Sequence, residues 1–172
     1  MRLPGFAEPY EAFVKHDRQD WLQAIAEEVT NLRQTHDEVW IVGHSTGASL
    51  VTRHVLDHPD TAAGVALMAP LVEVAGKRSP VLSPHAWFKM TGTLMMFTDR
   101  IETCFELDIN SPEGRAVIIR EQFVPLTTIE ETFAIASEVR DRASEITVPV
   151  YTAVSMADKI VDTEAAVRFF EQ

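Results

Sequence analysis

Residues 39–50 of this 172-residue chain read Val39-Trp40-Ile41-Val42-Gly43-His44-Ser45-Thr46-Gly47-Ala48-Ser49-Leu50. The first four side chains are β-branched or aromatic without polar alternation, which predicts a short interior strand of a sheet covered on both faces. A helix is expected from Ala48 to His58, because Pro59 cannot continue one. Ser45 is therefore predicted to lie in a tight turn between a buried strand and a helix.

The same alternation of elements extends on both sides of this turn. One apolar stripe predicts a helix from Asp20 to about Thr35, with Asp20 as its cap. The stripe consists of Leu22, Ile25, Val29 and Leu32. Apolar runs at Val65–Met68 and Ile146–Val154 predict two more strands, and a further helix is expected to begin at Glu164. This order is typical of a parallel sheet with helices on its faces.

Residues 75–145 interrupt that order, since Gly76, Pro80 and Pro84 break the chain and no strand is predicted there. Helical periodicity at 116–123 and 129–139 predicts a mostly helical insertion. The cluster of Met and aromatic side chains at 87–97 either packs as the core of this insertion or lines an apolar pocket. Glu130 and Glu131 are expected on a solvated helix surface. We predict a core segment 1–74, an insertion 75–145 and a second core segment 146–172.

Composition excludes several classes of partner. Fifteen basic and 26 acidic residues give a net charge of −11, which repels nucleic acid and anionic membranes. Cys104 is the single cysteine, so internal disulfides and multi-thiolate zinc sites are excluded. The N-terminus is unlike a signal peptide, and no run reaches the roughly 18 apolar residues of a membrane span. We predict a soluble, cytoplasmic protein without a transmembrane segment, metal or cofactor.

The pattern G-x-S-x-G at residues 43–47 favours nucleophilic chemistry, because it lies between a strand and a helix. Gly43 and Gly47 are expected where side chains would collide with the strand and the helix. The hydroxyl of Ser45 would be exposed for attack, but it needs a base, and that base needs a carboxylate to orient it. The helix N-terminus would stabilise negative charge, with the N–H of Thr46 as the first oxyanion donor.

With these flanks, residues 39–50 resemble the nucleophile elbow of α/β-hydrolases, specifically esterases close to monoacylglycerol lipases and lysophospholipases. Residues 65–70 resemble the strand that follows the elbow helix, and residues 146–150 resemble the strand that leads to the catalytic acid. The resemblance implies part of an α/β-hydrolase fold, with helices on both faces of a mostly parallel sheet and a helical cap. It also implies hydrolysis of a small or lipid-like ester through an acyl-enzyme.

By position in that family, the acid is Asp158, in the loop after the later strand. Asp162 is the rival, although it lies where the N-cap of the last helix is expected. The resemblance further implies that His44 helps to shape the pocket beside Ser45.

The resemblance also exposes a missing base. The triad of this family follows the order serine, acid, histidine, yet no histidine follows His85. His85 is expected to pack in the cap, and a metal site at His54 and His58 is a weak alternative because the glutamate of H-E-x-x-H is missing. The chain is therefore expected to be weakly active or inactive on its own.

Two alternatives to a complete enzyme follow. The chain could be a non-catalytic binding or association module, because the strand at 39–42 would have an unpaired edge that favours a homodimer. It could equally be part of a longer protein.

Overall fold

The computed structural model describes residues 1–76, 86, 99–102, 111–113 and 123–171. Residues 116–122 of the helix predicted at 116–123, the cluster at 87–97, His85 and Cys104 lie outside these residues, and Phe123 begins a strand. In chain order the elements are α1 (Tyr10–Phe13), α2 (Arg18–Arg33), β1 (Trp40–His44), α3 (Thr46–Asp57), a 3-10 turn (Pro59–Thr61), β2 (Gly64–Met68), β3 (Arg100–Glu102), β4 (Phe123–Pro125), α4 (Leu126–Arg140), a 3-10 turn (Ala143–Glu145), β5 (Val150–Ala153) and α5 (Thr163–Phe170). No helix of this described part is long and apolar enough to cross a bilayer.

The main sheet is parallel, as the sequence predicts, with strand order β1-β2-β5 in the described residues. Its register places His44 beside Met68 and Met68 beside Ala153. These residues end their strands, so the loops that follow β1, β2 and β5 leave the sheet at one edge. In parallel α/β sheets this carboxyl edge is where ligand sites are built.

One face of the sheet carries the core. Val65 and Leu67 point from β2 into a cluster with the α3 side chains Ala48, Val51 and Val55. A second cluster extends outward from α3 to α2 and α4 through Leu50, Trp21, Ile25, Val29 and Ile135. Burying each large side chain of this kind stabilises the fold by about 1.5–3 kcal/mol. Helix α3, which begins directly after Ser45, is thus fixed by apolar packing.

The opposite face of the sheet is exposed in the described residues. The exposed fractions are 54% for Trp40, 62% for Val42 and 65% for Tyr151. The register aligns Val42, Ala66 and Tyr151 across the three strands. The prediction that β1 is an interior strand is wrong for this part of the chain: β1 lies at the edge, and its apolar run is covered on one face only.

Several boundaries differ from the predicted ones. Asp17 caps α2, and Asp20 accepts a hydrogen bond from the backbone N–H of Asp17 in return; Asp20 was expected to be the cap itself. A short helix, α1, precedes α2 where no element is predicted. Strand β5 starts at Val150, because Pro149 precedes it without an N–H for the ladder.

The interval 75–145 contains more than helices. Strands β3 and β4 pair antiparallel, with Ile101 beside Val124. Helix α4 packs on α2 and α3 and shares their core through Ile135. The division of the chain at residues 74 and 145 stays a prediction.

A chain of ion pairs joins α2, α3 and α4. Arg18 contacts Glu131 at 2.5 Å and Glu138 at 2.9 Å, and Arg53 contacts Glu138 in turn. Arg53 also contacts Asp57 at 2.7 Å. Glu131 is therefore a partly buried ion-pair partner, which corrects the expectation that it is simply solvated. A charge pattern along one helix cannot reveal partners on two others.

Candidate active site

Ser45 occupies the turn between β1 and α3, where the sequence predicts it. Its backbone has φ 53° and ψ −122°, a conformation that side-chain-bearing residues rarely adopt and that costs roughly 1–3 kcal/mol. Such strain persists only where the surroundings enforce it. Ser45 is partly exposed, and no other residue in the described part of the chain hydrogen-bonds to its hydroxyl.

The two glycines of the turn play different roles. A Cβ at Gly43 would lie 2.6 Å from Cα of Ala48 and 2.7 Å from the carbonyl oxygen of Gly47, so glycine is required for α3 to start this close to β1. A Cβ built at Gly47 meets nothing within 4 Å. The predicted collision is therefore present at Gly43 and wrong for Gly47, which faces open space in the described structure.

Backbone hydrogen bonds join the Ser45 turn to the end of β2, and the residue after β2 to the end of β5. The N–H of Ser45 donates to the carbonyl of Met68 at 3.0 Å, and the N–H of Ala69 donates to the carbonyl of Ala153 at 2.7 Å. Ala69 is also strained, with φ 44°. Two residues with positive φ are thus neighbours at the carboxyl edge, which is typical of functional sites.

The first residue of α3 offers a free donor next to Ser45. The backbone N–H of Thr46 has no intrahelical acceptor, because it opens the helix, and no other described residue accepts from it. The positive end of the helix dipole reinforces this N–H. His44 ends β1 and is exposed, on the same strand face as Trp40 and Val42. The turn can thus present a hydroxyl and an anion-stabilising N–H together.

The loop after β5 carries the two aspartates. Oδ1 of Asp158 accepts from the backbone N–H groups of Ile160 and Val161, each at 2.8 Å. Oδ1 of Asp162 accepts from the N–H of Ala165 at 2.9 Å and caps α5, as predicted. One oxygen of Asp158 therefore shapes its own loop, and Oδ2 makes no hydrogen bond to any described residue.

A short bridge ties this acidic loop to the loop after β2. Val74 pairs with Val161, and the N–H of Ala75 donates to the carbonyl of Ile160 at 2.8 Å. The loop after β2 also touches the turn, since Leu71 donates to the carbonyl of Ser45 at 3.3 Å. Ser45 and the loop of Asp158 thus follow strands that end at one edge, although no hydrogen bond joins the two side chains.

His54 and His58 lie at the far end of α3, away from Ser45. Their ring centroids are 5.2 Å apart, and Nε2 of His54 lies 3.1 Å from the hydroxyl of Thr61. Burial lowers the pKa of His54, and the neighbouring His58 lowers it further. In the described ranges no group of three or more His, Cys, Asp or Glu side chains could hold a metal ion.

No sequence signal points to Ser49 or Ala69, although both shape this edge. The hydroxyl of Ser49 donates to the carbonyl of Leu71, 22 residues along the chain, and such a long-range contact leaves no local pattern. Alanine is rarely associated with positive φ, so the strain at Ala69 is equally invisible in the residue type.

Comparison with known proteins places this geometry in a family. The model of a family described as serine aminopeptidase, S33, matches residues 5–172. The fold is similar to that of a monoacylglycerol lipase from Paleococcus ferrophilus, with 20% identity, 91% of this chain and 61% of the lipase covered, and a TM-score of 0.71. No curated protein matches the sequence.

Two further solved structures are similar. One is a metagenome-derived lipolytic enzyme, with 15% identity, 99% of this chain and 64% of that chain covered, and a TM-score of 0.79. The other is a soluble variant of monoglyceride lipase from Saccharomyces cerevisiae, with 16% identity, 97% and 57% coverage, and a TM-score of 0.66. The chain spans about three fifths of the length of these structures. At such identities the likeness shows the fold alone.

Proposed function

Because the chain belongs to the serine aminopeptidase, S33, family of α/β-hydrolases, we propose that it carries the nucleophile and the acid of a serine hydrolase that cleaves carboxylic esters. Ser45 is the proposed nucleophile, and Thr46 supplies one oxyanion donor. Asp158 orients a histidine base that this sequence lacks at its expected place. Gly43 lets the turn pass close to α3, and His44 shapes the pocket beside Ser45.

The proposed reaction has two steps. Oγ of Ser45 attacks the ester carbonyl while a base takes its proton, and the developing oxyanion is stabilised by the N–H of Thr46. Expulsion of the alcohol, protonated by that same base, leaves an acyl group on Ser45. Water, deprotonated by the base, then attacks the acyl-enzyme and releases the carboxylic acid. No cofactor enters this chemistry.

The backbone of Ser45 supports the proposal most strongly. A strained residue at φ 53° between a parallel strand and a helix keeps its hydroxyl outside both elements, and a serine in an ordinary turn has no need of this strain. The free N–H of Thr46 lies on the next residue, where the oxyanion would form.

A lipid-like acyl chain suits the surroundings of Ser45. Four exposed apolar side chains lie at or near the carboxyl edge: Met68, Val154, Met156 and Ile160. Met68 accepts the N–H of Ser45 through its backbone, so this apolar rim starts next to the turn. Similar structures include lipases of monoacylglycerols. Because of the net charge of −11 and the single cysteine, we predict a cytoplasmic enzyme that does not bind nucleic acid.

Chemical rescue tests the proposal on the chain as it exists. Without a base, hydrolysis of p-nitrophenyl butyrate is expected to be slow, because a positioned base contributes roughly 10²- to 10⁴-fold. Added imidazole supplies a mobile base, so the protein-dependent rate is expected to rise with imidazole concentration, after the reaction of imidazole alone is subtracted.

Two serine variants test whether the rescue by imidazole depends on Ser45. Ser45→Ala is expected to abolish the imidazole-dependent turnover, whereas Ser144→Ala, at an exposed serine far from the turn in sequence, is expected to keep it. Turnover that survives Ser45→Ala would refute the assignment of the nucleophile. Robust turnover without imidazole, lost in Ser45→Ala, would instead show that a histidine of this chain acts as the base.

The exposed edge of β1 favours a second candidate function, an association module that forms a homodimer. Strand β1 has β2 on one side and no described strand on the other, and the adjacent face exposes Trp40 and Val42. Unpaired edges of this kind bind other strands.

Sedimentation velocity separates this candidate from a monomeric hydrolase. A dimer is expected for the unmodified chain, and Val42→Lys is expected to dissociate it, since an edge lysine opposes strand pairing. Leu32→Lys, on the exposed side of α2, is the matched control and is expected to remain dimeric. A folded monomer of the unmodified chain would remove the association module.

A further inference from the structure

We propose that Ser49 is a positioning residue, which holds the Ser45 turn in its strained conformation by anchoring the loop after β2. The inference deepens the proposed function and rests on it. Ser49 lies one helical turn after Ser45 in α3, and its side chain is directed to neither a substrate nor solvent, since only 2% of the residue is exposed.

Hydrogen bonds among three residues close a ring around the turn. The hydroxyl of Ser49 donates to the carbonyl of Leu71 at 2.6 Å. The N–H of Leu71 donates to the carbonyl of Ser45 at 3.3 Å, and the N–H of Ser49 donates to that same carbonyl, also at 3.3 Å. The carbonyl of Ser45 also accepts the N–H of Ala48 at 3.0 Å. It is thus held from the helix by Ala48 and Ser49 and from the loop after β2 by Leu71, which the Ser49 hydroxyl binds.

The ring explains how a costly backbone conformation persists. A residue at φ 53° returns to an ordinary conformation unless neighbouring bonds prevent the rotation. Rotation of the peptide after Ser45 would break the bonds that its carbonyl accepts from Ala48 and Ser49 in the helix and from Leu71 in the loop after β2. The Ser49 hydroxyl keeps Leu71 in reach, and its burial makes the loss of this bond expensive, because the carbonyl of Leu71 would be left without that partner.

The same peptide unit carries the proposed oxyanion donor. The carbonyl of Ser45 and the N–H of Thr46 belong to one planar group, so fixing the carbonyl also fixes the direction of the N–H. Ser49 therefore sets the position of the Ser45 hydroxyl and the aim of the Thr46 donor together.

Thr52 is a matched control within the same helix. It is also 2% exposed, and its hydroxyl donates to the carbonyl of Ala48 at 2.9 Å. That bond stays inside α3 and reaches neither the loop after β2 nor the turn. Loss of the Thr52 hydroxyl thus reproduces the loss of a buried bond without loosening the ring.

The test combines two readouts on Ser49→Ala, Ser49→Cys and Thr52→Ala. The Cα and Cβ chemical shifts of Ser45, measured by nuclear magnetic resonance, report its backbone angles directly. They are expected to move toward ordinary values in Ser49→Ala, to move less in Ser49→Cys, which keeps a weak donor of similar size, and to stay unchanged in Thr52→Ala.

The second readout is imidazole-rescued hydrolysis of p-nitrophenyl butyrate. In Ser49→Ala, kcat is expected to fall roughly 10- to 100-fold with KM unchanged, since small misplacements of reacting groups cost rate rather than binding. A general loss of stability would affect Ser49→Ala and Thr52→Ala alike, and so would not produce this difference between them.

Unchanged Ser45 shifts in Ser49→Ala, or equal changes in Thr52→Ala, would overturn the positioning role of Ser49. Ester turnover that survives Ser45→Ala would overturn the proposed function instead, whatever the shifts of Ser49→Ala show. The two failures are therefore distinguishable.

Discussion

The turn at Ser45 and the loop at Asp158 lie at the same edge of the sheet but are held in different ways. Ser45 is bonded through its backbone to the loop after β2, and its helix is packed into the core through Ala48 and Leu50. Among the described residues, the side chain of Asp158 hydrogen-bonds only to N–H groups of its own loop. The turn is therefore fixed by direct contacts with the core elements, whereas the side chain of Asp158 is held within its own loop, which the Val74–Val161 bridge joins to the loop after β2.

This difference separates Ser45, which the chain holds in position by itself, from Asp158, whose proposed role requires a histidine. A strained nucleophile must be in place before a substrate arrives, so its support has to come from rigid neighbours. An acid that orients a histidine becomes useful only when that histidine is present. The sequence lacks the histidine at the expected place, and Oδ2 of Asp158 is free of described partners.

The largest expected effect comes from the tightest point of the turn. Gly43→Ala is expected to lower the free energy of unfolding by about 3 kcal/mol or more, since the added Cβ would lie 2.6 Å from the backbone of Ala48 and overpacking of this kind is costly. Chemical denaturation followed by circular dichroism measures the loss.

Gly47→Ala is the matched control for that substitution. The added Cβ meets nothing within 4 Å, and alanine favours a helix over glycine by up to about 1 kcal/mol. Stability is expected to stay unchanged or to rise slightly. Equal destabilisation by the two substitutions would mean that the turn is not fixed by its contact with α3.

A smaller effect separates the two aspartates. Asp162→Ala is expected to lower the free energy of unfolding by about 1 kcal/mol, because Asp162 caps α5. Asp162→Asn is expected to retain most of the stability, since asparagine caps equally well. A loss of imidazole-rescued turnover in Asp162→Asn with unchanged stability would make Asp162, and not Asp158, the functional acid.

The smallest effect is a pH dependence at the distal end of α3. Burial depresses the pKa of His54 in the folded state, so the unfolded chain binds this proton more readily. The stability that the neutral His54 contributes is fully present above its pKa in the unfolded chain, about 6.5. It is lost as the pH falls through the lower pKa of the folded state.

Thermal unfolding, measured between pH 8 and pH 5 at steps of roughly half a pH unit, tests this dependence of stability on the protonation of His54. His54→Gln is expected to lose less stability on acidification than the unmodified chain. His36→Gln, at an exposed histidine, is expected to follow the unmodified chain. Identical acid profiles for all three proteins would show that His54 is not held in its neutral form.

Local patterns predicted most of the fold. Apolar runs and helical stripes identified the parallel strands and the helices around them, because these signals depend on periodicity within one element. The apolar run Val39–Val42 by itself predicted an interior strand, since it reads the same whether one face is covered or both; the unpaired edge of β1 was predicted only with the association module. The ion pairs between Arg18 and α4 depend on side chains more than a hundred residues apart.

The candidate site was predictable where its chemistry is local. G-x-S-x-G between a strand and a helix predicted the Ser45 turn, and the position before α5 predicted the capping role of Asp162. The anchoring of Leu71 by Ser49 could not be predicted, because it depends on how two loops meet after folding. The open side of Gly47 was missed for the same reason.

Covalent labelling tests the central claim most directly. The chain is incubated with a fluorophosphonate in the presence of imidazole, digested, and mapped by mass spectrometry. One modified peptide is expected, with the adduct on Ser45, and no labelled peptide is expected in Ser45→Ala. Absence of an adduct on Ser45, or equal labelling of other serines, would contradict it.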